Sequence, residues 1–244
     1  MKLLLLSALQ REVGAVARML GAKEKLCRAP FRAFHARHLS HELTVAVTGV
    51  GIESARRAFS RMVQAGRPDG VVSLGYCGSL CHEAVVGDLV FASTVSLVDC
   101  RGLETMPLPD PGCVLESLSS RLPMRAGTFL TLKEWMRKER LTHLVPPGMP
   151  LPVCEMETFG LAQLSLEHGL PFFAIRAVSD GAGEDIAFDP REVCDASGTY
   201  RLSRALSLFF RRPHLLAHAM KLYRGSKRAS RSLALAADGL LRIL

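Results

Sequence analysis

Short apolar runs alternate with stretches of helical spacing along the chain. Residues 3–7, 70–74 and 172–178 are almost wholly apolar, which predicts strands buried on both faces of a sheet. Residues 12–20 place their apolar positions on one side of a helix, which a glycine ends. The same reasoning predicts further strands at residues 31–39, 43–48, 89–95, 127–131 and 153–157, and further helices at 52–65 and 158–168.

Strands that alternate with helices predict an α/β fold, with helices on both faces of one sheet. Two proline-containing segments, residues 99–125 and 146–152, are expected to be irregular loops. Ligands bind such sheets at the carboxyl ends of the strands. The candidate site segments are therefore the expected turn at residues 75–78 and the strand ends at 155–157 and 179–180.

Charge is unevenly distributed. The 244 residues carry a net charge of +8, but residues 201–244 hold ten Lys or Arg and one Asp, and so carry +9. The preceding 200 residues hold 21 basic and 22 acidic side chains. Basicity thus belongs to the tail, and aromatic residues are few, so no nucleic-acid partner is expected.

Several functional classes are disfavoured. The seven cysteines are scattered without a CxxC pair, which is typical of reduced cysteines, and neither a metal nor another cofactor is expected. The first apolar run is too short for a signal peptide, and no stretch reaches the roughly 20 apolar residues of a membrane span, so we expect a cytoplasmic protein. The sequence lacks P-loop, GxGxxG, HExxH and GxSxG motifs.

Asp180 directly follows an apolar strand. A partly desolvated carboxyl there would have a raised pKa and would suit general-acid catalysis, although a helix N-cap is an equally simple role for an aspartate.

Three other acids and one arginine are candidates for chemistry. Glu155 and Glu157 lie two residues apart, and a carboxylate there can bind adjacent ribose hydroxyls or merely begin a helix. Glu12 opens a helix after the first strand, so it is either a functional acid or an ordinary helix start. Arg176 lies inside an apolar strand, so it needs a buried acidic partner, and these glutamates are the available ones.

Four segments together resemble the superfamily of nucleoside phosphorylases and methylthioadenosine/adenosylhomocysteine nucleosidases. They are MKLLLLSALQREV, the TGVG turn with its helix, VVSLGYCGSL followed by VGDLVFAS, and CEMETFGLAQLSLEHGLPFFAIRAVSD. The resemblance covers residues 1 to about 190, weakly at 99–150. It implies a three-layer α/β/α domain with a central mixed sheet over residues 1–200, no cofactor, and a homo-oligomer, expected to be a dimer.

The resemblance also assigns roles around the purine. Asp180 would protonate or hydrogen-bond N7 of the base, and Ser179 would orient Asp180. Trp135 and Met136 fall where the family lines the base pocket.

On the sugar side, Glu157 and Met156 would hold the ribose hydroxyls. Glu12, supported by Arg176, would activate the nucleophilic water. The reaction would thereby cleave the N-glycosidic bond through a transition state that resembles an oxocarbenium ion.

The sequence departs from the family pattern near the nucleophile. Gly75, Tyr76 and Cys77 form this segment, and the family commonly has a small or hydroxyl residue where Tyr76 stands. The family's Gly-Asp pair is replaced at residues 132–134. Phosphorylases place an arginine at the position of Ser73, and an anion site without a cation is hard to build, which favours water over phosphate.

The tail, residues 201–244, is predicted to be a basic amphipathic helical extension that Pro213 interrupts. It either covers the sheet or contacts an anionic membrane at its inner face. A similar extension occurs in hopanoid-associated phosphorylases, and this resemblance would imply adenosylhopane as the substrate, from which adenine is removed. The apolar positions of the extension are Leu202, Leu206, Phe209, Phe210, Leu215, Leu216, Ala219, Leu222 and Tyr223.

Three hypotheses remain open from the sequence. The first is a nucleosidase that releases adenine from a 5′-substituted adenosine, small or lipid-linked. The second is a phosphorylase that yields ribose 1-phosphate. The third is a nucleoside-binding relative without activity, against which the presence of both Glu12 and Asp180 argues.

Overall fold

A mixed sheet of nine strands runs through the part of the chain that the computed structural model describes, residues 1–21, 32–110, 113–185, 188–195 and 201–244. The strands are β1 (Lys2–Ser7), β2 (Ala33–His38), β3 (His41–Val47), β4 (Gly70–Ser79), β5 (Leu89–Asp99), β6 (Gly102–Pro107), β7 (Met124–Leu132), β8 (Pro152–Glu155) and β9 (Phe172–Asp180). The helices are α1 (Gln10–Met19), α2 (Ile52–Ala65), α3 (Val114–Ser119), α4 (Lys138–Leu144), α5 (Thr158–Glu167), α6 (Leu202–Arg211) and α7 (Leu215–Leu241), with a 3₁₀ turn at Pro190–Val193.

Part of the sheet closes on itself. The strand order is β2-β3-β1-β4-β8-β7-β5-β6, and β9 pairs in parallel with β4 and antiparallel with β5. Strands β4, β9, β5, β7 and β8 therefore form a ring, with β1, β3 and β2 extending from one side and β6 from another. This closure gathers the ends of β4, β8 and β9 in one place.

Strand β1 shows why the chain folds in three layers. Leu3 and Leu5 face a core that α1, α3 and α7 cover, whereas Leu4 and Leu6 face a second core that α2 and α5 cover. Alternate residues of a strand point to opposite faces, so an unbroken apolar run is buried on both sides. The predicted α/β/α fold with a mixed central sheet is confirmed.

Two sequence predictions about local structure are wrong. Residues 75–78 are not a turn: β4 continues to Ser79, because Gly75 and its neighbours pair with β9. Residues 99–125 are not wholly irregular, since they contain β6 and α3. β6 is an edge strand with no fully buried residue, so it lacks the apolar alternation that predicts a strand. The predicted start of the second strand at residue 31 lies outside the described residues.

The tail forms two helices, α6 and α7, separated near Pro213 as predicted. The second half of α7 packs into the core beside β9, through Ala229, Leu233 and Leu240. Among the described residues, no helix is both long and apolar enough to cross a membrane.

Candidate active site

A cavity of about 480 Å³ lies where the ends of β4, β8 and β9 meet the start of α1. The segment between β7 and α4 forms another wall, and α6 and α7 close the remaining side. The cavity collects side chains that are far apart in sequence, because the ring of strands turns their carboxyl ends toward one another. Of the predicted site residues, it is lined by Glu12, Tyr76, Cys77, Trp135, Met136, Met156, Glu157, Ser179 and Asp180.

Asp180 is the last residue of β9 and is buried. Ser179 Oγ donates a hydrogen bond to Asp180 Oδ1 at 2.5 Å and also lies 3.2 Å from the carbonyl oxygen of Cys77. Burial raises the pKa of Asp180, and this effect outweighs the opposing influence of Lys138 and Ser179. A carboxyl of raised pKa retains its proton to higher pH, as a general acid requires. The helix-cap alternative does not apply, because no helix begins at Asp180.

Lys138 lies beside Asp180 and was not predicted from the sequence. Its ammonium Nζ is 2.5 Å from Asp180 Oδ2, and both side chains are almost fully buried. Gly78 makes room for the pair, because a Cβ at this position would stand 2.7 Å from both Asp180 Oδ2 and Lys138 Cε. No periodicity or motif marks Lys138, since it begins a short helix in the stretch of weak resemblance.

Glu12 is fixed by two backbone amides. Its Oε2 accepts a hydrogen bond from Leu9 N at 2.8 Å, and its Oε1 accepts one from Tyr76 N at 2.9 Å. Burial raises the pKa of Glu12, whereas these amides and the charge of Arg176 oppose the shift. Gly75 does not line the cavity, and a Cβ there would crowd both Glu12 and Arg176. The small residue thus lets these two groups approach each other.

Arg176 lies behind the cavity rather than in its wall. Its Nη2 donates to Glu155 Oε2 at 2.9 Å and to Thr158 Oγ1 at 2.8 Å, and its Nη1 donates to Ser73 Oγ at 3.1 Å. The sequence assigned Arg176 to the support of Glu12, but its ion pair is with Glu155. Its charge acts on Glu12 through space, and its side chain does not line the cavity.

The two glutamates of the ExE segment have different environments. Glu155 accepts hydrogen bonds from the backbone amides of Glu157 and Thr158 and from the hydroxyls of Thr158 and Thr131, besides its ion pair with Arg176. Glu157 accepts one from Gly51 N at 2.8 Å and lines the cavity. Burial and the charge of Glu155 raise the pKa of Glu157 to about 8. Glu155 lines the cavity too, but both of its oxygens are occupied by these partners, so Glu157 is the member of the pair that is placed to meet a ligand.

Helices α6 and α7 are part of the site, which the sequence did not predict. Phe209 of α6 and Met220, Tyr223 and Ser226 of α7 line the cavity. The hydroxyl of Tyr76 lies 2.5 Å from Ser230 Oγ.

The guanidinium of Arg11 stacks on the ring of Tyr223, 4.7 Å from its centroid. A Cβ at Gly225 would overlap the carbonyl oxygen of Ser179. The helical spacing of the tail indicated helices but could not show which face meets the site.

The cations in the cavity wall, within the described ranges, are Arg11 and Lys138. Arg11 lies over an aromatic ring and Lys138 is paired with Asp180. No group of three or more potential metal ligands occurs among the residues the structure describes. Five cysteines are free thiols, namely Cys77, Cys81, Cys100, Cys113 and Cys154, and Cys27 lies outside the described residues.

Comparisons with known proteins agree on one family. A family model described as the phosphorylase superfamily matches residues 2–208. Futalosine hydrolase from Streptomyces coelicolor is 31% identical over 201 residues, which are 75% of this chain and 85% of that protein. A 5′-methylthioadenosine/S-adenosylhomocysteine nucleosidase from Shewanella piezotolerans is 24% identical over 226 residues, 85% of this chain and 98% of that protein.

Solved structures share the fold. A mutant of the Helicobacter pylori nucleosidase with 5′-methylthioadenosine in its active site superposes with a TM-score of 0.73 at 14% identity, covering 100% of this chain and 99% of that one. The futalosine hydrolase of Helicobacter pylori gives a TM-score of 0.74 at 14% identity, covering 100% and 98%. The structural match therefore extends through α6 and α7.

Proposed function

This chain belongs to the phosphorylase superfamily, and from that membership and the geometry of the site we propose that it hydrolyses the N-glycosidic bond of an adenine nucleoside whose ribose carries a 5′ substituent. The observation that carries the proposal is the presence of two separately held, buried carboxyls, Asp180 and Glu12, in one cavity. A binding protein would need neither a proton donor nor a base of this kind. The relatives named as nucleosidases and futalosine hydrolases support the same reaction class.

Asp180 acts as the acid in the proposed reaction. Protonation at N7 stabilises the departing adenine, because it removes the negative charge that would develop on the base. The bond from Ser179 fixes one carboxyl oxygen, and the raised pKa keeps the proton available. Trp135 and Met136 line the same cavity and supply apolar contact area for the planar base.

Glu12 acts as the base in the proposed reaction. Its two amide contacts fix the carboxylate, and each oxygen retains a lone pair that can accept a proton from water. Glu157 holds the ribose hydroxyls with the oxygen that Gly51 does not occupy. The sugar is thereby placed with the acid and the base in reach, which lowers the entropic part of the barrier.

Water is the proposed nucleophile rather than phosphate. Ser73, at the position where phosphorylases have an arginine, is buried and accepts a hydrogen bond from Arg176. Both cations in the described cavity wall are already engaged, Arg11 with Tyr223 and Lys138 with Asp180. A phosphate ion would thus lack the charge-assisted partners that usually bind it.

One assay tests the reaction and its nucleophile. The protein is incubated with 5′-methylthioadenosine, with and without phosphate, and free adenine and the sugar product are quantified by chromatography. We expect adenine and free methylthioribose at equal rates in both conditions. A rate that depends on phosphate, with a sugar phosphate as product, would establish phosphorolysis instead, and tight binding without release would establish a binding protein.

The apolar side of the cavity supports a large, apolar 5′ substituent. Val50 adjoins Gly51, the partner of Glu157, and Phe188 and Phe209 pack edge to face in the same cluster. We therefore extend the proposal to an adenosyl lipid such as adenosylhopane. The test compares kcat/KM for 5′-alkylthioadenosines of increasing chain length: a steady rise supports the lipid substrate, and a fall beyond methyl contradicts it.

The exposed side of α6 supports contact with an anionic membrane, which would deliver such a substrate. Leu202, Leu206 and Phe210 recur every fourth residue and are 64%, 61% and 90% exposed. The tail that contains them carries +9. Apolar residues beside basic ones are typical of helices that lie in the membrane interface.

We also propose that the protein is a dimer in which a second subunit adjoins the site. A further cavity of about 600 Å³ shares Val50 and Met156 with the first and is otherwise lined largely by polar residues around α2. Sedimentation analysis is expected to show a dimer at micromolar concentration. A fully active monomer would contradict this proposal.

A further inference from the structure

Lys138 is a buried lysine whose ammonium meets three oxygen atoms at the end of β9. Nζ lies 2.5 Å from Asp180 Oδ2, and it donates to the carbonyl oxygen of Gly181 at 2.7 Å and to that of Asp180 at 3.2 Å. The two carbonyl oxygens accept hydrogen bonds from the ammonium, whereas Asp180 Oδ2 is held by its charge and has no well-directed hydrogen bond. The lysine therefore ties the carboxyl of Asp180 to the backbone that follows it.

The backbone of Lys138 is fixed as well. Its amide donates a hydrogen bond to Asp185 Oδ1 at 2.8 Å, and Asp185 belongs to the loop after β9. Gly78 of β4 lies against both the ammonium and the carboxyl and leaves no room for displacement toward that strand. The pair is thus held from α4, β4 and the loop after β9, which is more restraint than a salt bridge needs for stability alone.

We infer that Lys138 is a positioning residue for the proposed reaction, which holds the carboxyl of Asp180 in the orientation from which it protonates the base. The inference rests on the proposed function and adds a residue to it. Lys138 acts on the substrate through Asp180, since its ammonium is directed at the three oxygen atoms of Asp180 and Gly181. Asp180 is left with Oδ1, which Ser179 fixes, to direct toward the adenine.

The charged groups near Asp180 predict how its pKa changes when Lys138 is replaced. Lys138 lowers the pKa of Asp180, and Glu184, which pairs with Lys221 of α7 at 2.8 Å, acts in the opposite direction. Removal of the ammonium alone should therefore raise the pKa of Asp180. A catalytic acid with a higher pKa stays protonated to higher pH, so the descending limb of the rate profile should move upward.

The experiment compares Lys138→Ala and Lys138→Gln with the wild type and with Arg140→Ala, which removes an exposed cation of the same helix, as the matched control. We expect kcat for adenine release to fall about 10²-fold with KM little changed, because a misplaced group costs rate rather than binding. The descending limb should move to higher pH in both variants. Methylammonium added to Lys138→Ala should restore part of kcat and return the limb toward its original position.

Two results would overturn the inference. The first is an unchanged kcat in the Lys138 variants. The second is a loss of kcat in proportion to a loss of folded protein, with an unmoved descending limb and no rescue by methylammonium. Adenine binding, measured by calorimetry across pH, distinguishes a failure of this inference from a failure of the proposed function. Adenine should bind the wild type more weakly as Asp180 ionises, and Lys138→Ala should shift that weakening upward, whether or not the protein turns over nucleosides. No shift in adenine binding would count against Lys138 even where adenine release is observed.

Discussion

Four buried carboxyls line the cavity within the described residues; Glu155 is paired with Arg176, and the other three are each held by different partners. Asp180 contacts a lysine and a serine, Glu12 two backbone amides, and Glu157 one amide. Desolvation raises the pKa of all three, because burial disfavours the charged form. The environment of each side chain therefore decides whether it serves as acid, base or ribose ligand.

Asp180→Asn tests the acid. Asparagine keeps the size and the acceptor oxygen for Lys138 but has no acidic proton, so kcat for adenine release should fall about 10²–10⁴-fold. Glu139→Gln, which changes an exposed acid on α4, is the matched control and should keep full activity. Kinetics are measured together with a thermal unfolding curve, which shows whether each variant is folded. An Asp180→Asn variant that keeps the wild-type kcat would show that Asp180 is not the acid.

Glu12→Gln tests the base through pH. In the wild type, kcat/KM should rise as Glu12 loses its proton and fall as Asp180 loses its own, which gives a bell-shaped profile. The ascending limb should disappear in Glu12→Gln, while the descending limb persists. If the ascending limb remains in this variant, another group must activate the water.

Residue types at strand ends indicated much of the site. Asp180, Glu157 and Glu12 could be selected from the sequence because each stands where an apolar run gives way to a polar turn or helix. Lys138 could not be selected, because its partner is 42 residues away and no local pattern records that contact. The partner of Arg176 was open for the same reason, since several acids were available and only the position of β8 within the ring decides for Glu155.

Helix α6 has two apolar sides, one buried in the protein and one exposed to solvent. Ala205 and Leu208 are buried against the 3₁₀ turn, whereas Leu202, Leu206 and Phe210 are exposed. The sequence pattern indicated an apolar stripe but could not distinguish the side that packs inward from the side that faces solvent.

Substitution of the exposed side tests membrane contact. The triple variant Leu202→Ser, Leu206→Ser, Phe210→Ser should lose flotation with phosphatidylserine-containing liposomes, because each buried apolar side chain contributes about 1.5–3 kcal/mol. Adenine release from a water-soluble nucleoside should be unchanged. The control replaces three exposed apolar residues elsewhere, Leu39, Val85 and Leu166, with serine. Equal flotation of both triple variants would exclude α6 as the contact.

At the scale of the whole molecule, the three layers were predictable and the ring was not. Buried strands and amphipathic helices specify a covered sheet, because the periodicity records which faces are buried. Closure depends on β9 pairing with both β4 and β5, a long-range choice that periodicity does not record.

Burial of an acid also makes the stability of the fold depend on pH. The pKa of Glu157 rises from 4.5 to about 8 in the folded chain, so folding favours its protonated form. This contribution to stability is fully present below pH 4.5 and is lost as the pH rises toward about 8. Glu157→Gln is permanently neutral, so its Tm should decline less than that of the wild type across this window, at about 2–4 °C per kcal/mol. Parallel Tm curves for the two proteins in scanning calorimetry would contradict the shift.

The contact between Gly225 and the carbonyl oxygen of Ser179 has a consequence for biogenesis. The acid, the base and the ribose ligand are all synthesised before residue 181. The part of the cavity wall formed by Met220, Tyr223 and Ser226 belongs to α7 and is synthesised later. A nascent or clipped chain that ends before α7 would carry every reactive carboxyl around a cavity open to solvent. Formation of α7 is thus the step at which the reactive groups become enclosed.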